Sequence, residues 1–291
     1  MEYFVLRNGA KMPAVGCGTV TFGREGAKLE NPINGDFSAI GTALKVGYRL
    51  FDTALAYGNE EGIGEALAAS GISRDQLFLS SKVPNKPPYN QSPADVRASV
   101  EESLRRMRTD YFDMMLIHHA VPGKTDLKGE GLEMDVERVC MIWETLTQLM
   151  HEGKLRGIGV SNFNIEHLKQ LMANCNEVPM INQIRCNPAG QNNDIIDFCK
   201  ANGIVPEAHS PLNFSRSRGV VLEMPEYKAL LASLGEKYGK GWTQILLRFY
   251  YQRGMISVPG SAKENHQAGN LDIFDFSLNE EEMKTLTVNE I

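Results

Sequence analysis

Eight short apolar runs with segments of helical period between them dictate what this chain of 291 residues can become. The runs are AVGCG (14–18), YRLFD (48–52), LFLSSK (77–82), YFDMMLIH (111–118), LRGIGV (155–160), MINQI (180–184), IVPEA (204–208) and MISVP (255–259). Helices are expected near 36–47, 59–70, 92–108, 136–151, 164–173, 192–202 and 242–252. Strands joined through helices run parallel, and a parallel sheet must be covered on both faces. Eight of them at this length close most economically into a (β/α)8 TIM barrel of the α/β class, one domain over 1–291.

Local signals agree with that architecture. YFVLRNGAKMP, ahead of the first strand, reads as a β-hairpin turning at Asn8 and Gly9, placed to plug the bottom of the barrel. Ser92 and Pro93 cap and start one helix, Asn164 caps another, and Gly153 and Gly203 stand where helices end. Additional helices are expected near 225–238 and 279–287. The longest interruptions, 119–135 and 213–224, follow the fourth and seventh strands. Both therefore overhang the C-terminal face, where barrels of this kind build their sites.

Composition excludes several classes. A net charge of −6 supplies no electrostatic footprint for nucleic acid. VRASVEESLRRMR is a barrel helix with a solvated basic face, and GNEEGIGEAL lacks the spacing of a phosphate loop. No apolar run is long enough to span a membrane, and MEYFVLRNGAKMP has no leader character, so a cytoplasmic protein is expected. The five cysteines are scattered without paired spacing, which argues against a disulfide framework or a metal site. Cys17, at the end of the first strand, is read as packing.

Asp52, Tyr57, Lys82 and His118 each stand at or just beyond the end of an apolar run. Strand ends in a barrel converge, so four polar groups meet at one face. A cation beside a phenol, whose reference pKa is about 10, favours its ionised form and lets it exchange a proton near neutral pH. Tyr57 is thereby the candidate general acid. Taken singly each residue has an ordinary structural reading, and only the set points to chemistry.

The set lies within phrases that resemble the aldo-keto reductases: FDTALAYGNEEGIG, LSSKV, LIHH, GKLRGIGVSNF, INQIRCNP, GIVPEAHSPL, YGKGWTQILLRFYYQRG and SVPGS, in family order over nearly the whole chain. The resemblance implies that Asp52, Tyr57, Lys82 and His118 are the catalytic residues of carbonyl reduction by a reduced nicotinamide. It implies cofactor contacts at Gly18, Thr19, Ser161, Asn162, Gln183, His209, Ser210, Leu212, Arg216, Gly260, Ser261, His266 and Asn270. Ser161, Asn162 and Gln183 match the residues that grip the carboxamide, although Ser161 and Asn162 can serve as a helix cap as well. A monomer or weak dimer acting on a small carbonyl compound is expected, without metal, nucleic acid or membrane. The chain stops at Ile291, short of the tail that many relatives fold over the substrate, so an open pocket is expected.

Departures from the family pattern fall in two places. The family usually stacks tyrosine on the nicotinamide where this chain has His209, and clasps a 2′-phosphate with lysine and arginine where this chain has Gly260 and His266. Gly269 stands where a glutamate is usual. Arg216, Arg218 and Lys263 are alternative cations, so NADPH is favoured on resemblance with NADH as the competing cofactor. The substrate wall, often tryptophan at three positions, is Val20, Pro84 and His119. A polar, bulky or anionic carbonyl compound fits such a wall better than an aromatic aldehyde. The competing reading is a nicotinamide-binding regulatory or structural protein on the same scaffold.

Overall fold

The computed structural model describes residues 2–28, 30–124, 127–128, 131–217 and 220–288. The chain begins with an antiparallel hairpin of β1 (Tyr3–Val5) and β2 (Lys11–Pro13), and Gly9 takes φ +84° at its turn. Eight parallel strands follow: β3 (Cys17–Gly18), β4 (Leu50–Asp52), β5 (Phe78–Val83), β6 (Met114–Ile117), β7 (Ile158–Ser161), β8 (Ile181–Arg185), β9 (Val205–His209) and, after the β10–β11 hairpin (Ser215–Ser217 and Val220–Val221), β12 (Ile256–Val258). They lie in chain order from β3 to β9 and then β12. The first and last strands meet: Gly16 N donates to Ser257 O at 2.8 Å, Ser257 N to Ala14 O at 3.1 Å and Gly18 N to Pro259 O at 3.1 Å. The sheet is closed by these bonds.

Helices α1 (Ser38–Val46), α2 (Glu60–Ala68), α3 (Pro93–Arg106), α4 (Val136–His151), α5 (Ile165–Asn174) and α6 (Asn193–Ala201) alternate with the strands. They are followed by α7 (Pro225–Tyr238), α8 (Trp242–Gln252), α9 (Glu264–Leu271) and α10 (Glu280–Leu286). Ser92 caps α3 by accepting from Asp95 N, and Asn164 forms a capping box with His167 on α5. Gly153 and Gly203 leave α4 and α6 at φ +80° and +66°, a conformation that a side chain would strain. Expected α7 and α10 are present. Helix α9 was not anticipated, and the 213–224 interruption contains β10 and β11 where an irregular loop was expected. Arg218 lies outside the described residues.

Strand alternation sorts the side chains into two sets. Phe51, Leu79, Met115, Ile117, Val160, Ile184 and Ala208 pack outward against the helices. Leu50, Phe78, Met114, Leu116, Ile181 and Ile256 fill the lower interior together with Leu6 and Met12 of the hairpin, which closes the barrel floor. By the same parity Asp52, Lys82, His118, Ser161, Gln183, Glu207 and His209 face inward above this apolar layer. Two thiols expected to be unrelated meet outside the barrel, with Cys175 Sγ 2.9 Å from Cys140 Sγ. Among the described residues no helix is long and apolar enough to cross a membrane.

Candidate active site

The centre of the upper layer is Lys82, whose ammonium has no exposed surface. It donates to both oxygens of Asp52 at 2.7 Å and to Thr53 O at 2.9 Å, so its three hydrogens have three acceptors. Burial alone would pull the Lys82 pKa down. The Asp52 carboxylate, the Tyr57 phenol and Glu207 outweigh that and hold it above the ordinary lysine range. Lys82 is a fixed cation.

Tyr57 is brought to this cation by a 3₁₀ turn, Leu55–Tyr57, just beyond β4. Lys82 Nζ lies 5.3 Å from the centre of the Tyr57 ring. The Tyr57 backbone carbonyl accepts from Arg24 Nη2 at 2.8 Å, which anchors the turn. His118, one residue past β6, meets Tyr57 edge-on with ring centres 5.7 Å apart. All four residues singled out for catalysis therefore converge, with Asp52 and Lys82 buried and Tyr57 and His118 half-buried at the mouth.

Around them the strand ends carry uncharged polar groups. Asn162 Nδ2 donates to His118 O and to Ser161 Oγ, both at 3.0 Å. Its Oδ1 must then accept, so His209 Nε2, 3.1 Å away, carries a hydrogen. Ser210 Oγ lies 3.3 Å from the other nitrogen of His209. Asn162 and Ser210, directly after β7 and β9, both take left-handed backbone conformations at φ +59° and +55°. Such strain on non-glycine residues gathers where a site over-determines the backbone. Gln183 donates through Nε2 to Asp52 Oδ1 at 2.9 Å and to Glu207 Oε1 at 3.0 Å.

The other residues divide by location. Thr19 is buried, and its hydroxyl donates to Asp52 O at 2.9 Å, tying the end of β3 to β4. Gly18 and Gly260 flank the barrel seam, Leu212 is half-buried, and Arg216 lies on β10. Ser261 and His266 stand at the exposed start of α9, with Ser261 Oγ accepting from Lys263 N at 3.2 Å. Asn270 is buried. Of the expected wall, Pro84 is buried while Val20 and His119 are half-buried. His119 stacks on His118, 4.3 Å between ring centres, and its carbonyl accepts from Asn85 Nδ2 at 3.1 Å.

Three further residues belong to this assembly. Asn59 donates to Thr19 O at 2.8 Å and Phe22 O at 3.1 Å, pinning the loops beside Tyr57. His167 Nε2 lies 2.6 Å from Leu132 O, which ties the chain at Leu132 to the start of α5. Glu207 sits within the interior layer and was visible only as an acid inside an apolar run.

The Aldo/keto reductase family model matches residues 14–289. Glyoxal reductase of Bacillus subtilis (strain 168) is 37% identical over 278 residues, covering 96% of this chain and 89% of that protein. Methylglyoxal reductase DkgA of Escherichia coli O157:H7 is 32% identical, covering 96% and 90%. Among solved structures, the aldo-keto reductase AKR2E4 of Bombyx mori in complex with NADP superposes with a TM-score of 0.85 at 33% identity, covering 98% of this chain and 91% of that one.

Proposed function

The chain belongs to the aldo/keto reductase family, and from that premise we propose that it reduces a small aldehyde or ketone at the expense of NADPH, with Tyr57 as the proton donor. As a member it is an NAD(P)H-dependent oxidoreductase. The observation that carries the finer reading is the buried Lys82 cation, locked by Asp52 and set 5.3 Å from the centre of the Tyr57 ring.

A reduced nicotinamide, when bound, supplies the hydride that no side chain carries. The residues present suit its carboxamide: Ser161, Asn162 and Gln183 offer donors and acceptors without net charge. Gln183 has spent both N–H groups on Asp52 and Glu207, which leaves its oxygen as an acceptor for an amino group. His209 presents a flat ring at the end of β9 in place of the larger tyrosine.

The proton is handled by the chain itself. Tyr57 donates to the carbonyl oxygen as negative charge develops there, and Lys82 stabilises the phenolate left behind. Asp52 keeps Lys82 charged and oriented. His118 adds a second donor that aims the carbonyl. At the adenosine end, Ser261, Lys263 and His266 lie at the exposed start of α9, where backbone N–H groups favour an anion such as a 2′-phosphate. Val20, Pro84 and His119 make a wall poor in aromatic area, which suits a small polar carbonyl compound. Glyoxal and methylglyoxal, named in two relatives, lead the substrate panel. A cytoplasmic monomer or weak dimer goes with this reading.

The test follows the absorbance of NADPH and NADH over aldehydes, ketones, dicarbonyls and sugars. Turnover with NADPH and a small polar carbonyl is expected. Tight cofactor binding without turnover of any carbonyl would favour a nicotinamide-binding regulatory protein instead.

A further inference from the structure

Among the buried acids that the reduction scheme leaves unused, Glu207 lies beside Asp52 and Gln183. Glu207 sits within β9 with no part of the residue exposed. Its Oε1 accepts from Gln183 Nε2 at 3.0 Å, and the same nitrogen donates to Asp52 Oδ1 at 2.9 Å. One amide thus bridges two carboxylates, and the nearer of these grips Lys82 at 2.7 Å. Glu207 Oε2 is buried with no hydrogen-bond partner among the described residues. Such an orphaned acceptor in a native interior calls for an explanation beyond packing.

We propose that Glu207 is a positioning residue with two effects: it fixes the Gln183 amide so that its oxygen meets the amino group of the nicotinamide carboxamide, and its proton sets whether one negative charge or two accompany Lys82. The inference rests on the carbonyl-reductase reading above.

The first effect follows from counting. With Glu207 present both amide hydrogens of Gln183 are committed, and a flip of the amide would set its oxygen against the Asp52 carboxylate. The second follows from charge. Burial raises the Glu207 carboxyl to about 8, with the Asp52 charge adding to it and Lys82 and the Gln183 hydrogen bond opposing. Its neighbours by strand are Asp52 from β4, Lys82 from β5, and Gln183 and Arg185 from β8, with His209 farther along β9. Strand β12, paired on its other side, brings only Ile256, Ser257 and Val258. Helix α6, with Asp194, Asp197, Cys199 and Lys200, packs on the outer face of β9. An ionised Glu207 competes for the field of Lys82 and disfavours the Tyr57 phenolate, so the donor stays protonated to higher pH.

Two variants separate these effects, each compared with wild type by calorimetric titration with NADPH and by pH profiles in both reaction directions. Glu207→Gln keeps an acceptor for Gln183 and cannot ionise. Its NADPH Kd is expected within about twofold of wild type, while the alkaline limb of reduction moves about half a pH unit or more downward. Glu207→Leu frees the Gln183 amide and is expected to weaken NADPH by about tenfold. A wild-type Kd in Glu207→Leu, or an unmoved alkaline limb in Glu207→Gln, overturns the proposal. Should the leucine variant fail to fold, the pH limb of Glu207→Gln decides. Should wild type bind NADPH yet reduce no carbonyl, the function proposed above falls and the binding measurement still decides this one.

Discussion

Gly18 and Gly260 face each other across the barrel seam with no room for a side chain on either. A Cβ on Gly260 would lie 2.9 Å from Gly18 O, and one on Gly18 would lie 2.7 Å from Val258 O. The obstacles are backbone atoms of the closing strands, which cannot swing aside as a side chain can. Gly18→Ala is therefore expected to cost about 1–3 kcal/mol, by forcing the seam apart. Urea denaturation with and without NADPH measures it, and unchanged stability would mean that the seam is looser than its contacts indicate.

The stacked pair of His118 and His119 yields a specificity prediction. His119 presents a small, polar face beside the proposed carbonyl site. Replacing it with tryptophan should shift kcat/KM toward aromatic aldehydes and away from small polar carbonyls, because Trp adds rigid apolar area. A panel of specificity constants that does not move would place His119 outside the substrate site.

At the cofactor's far end, charge counting applies. Lys263 is exposed at the start of α9, so Lys263→Ala should weaken NADPH by about 3- to 10-fold and leave NADH unchanged. His266→Arg should tighten NADPH selectively, most at low salt. Titrations of both cofactors at two ionic strengths check this. If neither variant changes the NADPH-to-NADH ratio, the phosphate is held elsewhere, with Arg216→Ala and Arg218→Ala the next variants.

The barrel is legible in the sequence because strand and helix periods differ, and eight apolar runs leave few topologies. Strand ends then bring Asp52, Tyr57, Lys82 and His118 together without further information. Helix α9 escapes the same reading because ENHQAGNL has no apolar stripe. It buries Gln267 and Asn270 instead, with Gln267 donating to Ala39 O at 3.1 Å and Ser261 O at 2.8 Å. The role of Glu207 is illegible for a related reason: its partner Gln183 is 24 positions away on another strand, and only barrel closure sets Asp52 beside both. Cys140 and Cys175 meet through the packing of α4 against the end of α5, which spacing does not encode.

Glu207 has a stability consequence as well. The native state holds its proton up to about pH 8, whereas the unfolded chain releases it near the ordinary 4.5. Between those values the native form binds more protons, so this residue's contribution to stability falls as pH rises. Glu207→Gln should therefore gain melting temperature relative to wild type progressively from pH 5 to about pH 8. A constant difference across that window would contradict a protonated Glu207.

In the proposed mechanism Tyr57 gives the proton while other residues hold the cofactor. Tyr57→Phe leaves the ring beside Lys82 and His118 and removes only the hydroxyl. Single-turnover reduction of the preferred carbonyl should slow by about 100-fold or more, while the NADPH Kd from calorimetry stays within about twofold of wild type. A wild-type reduction rate in this variant would contradict that role outright.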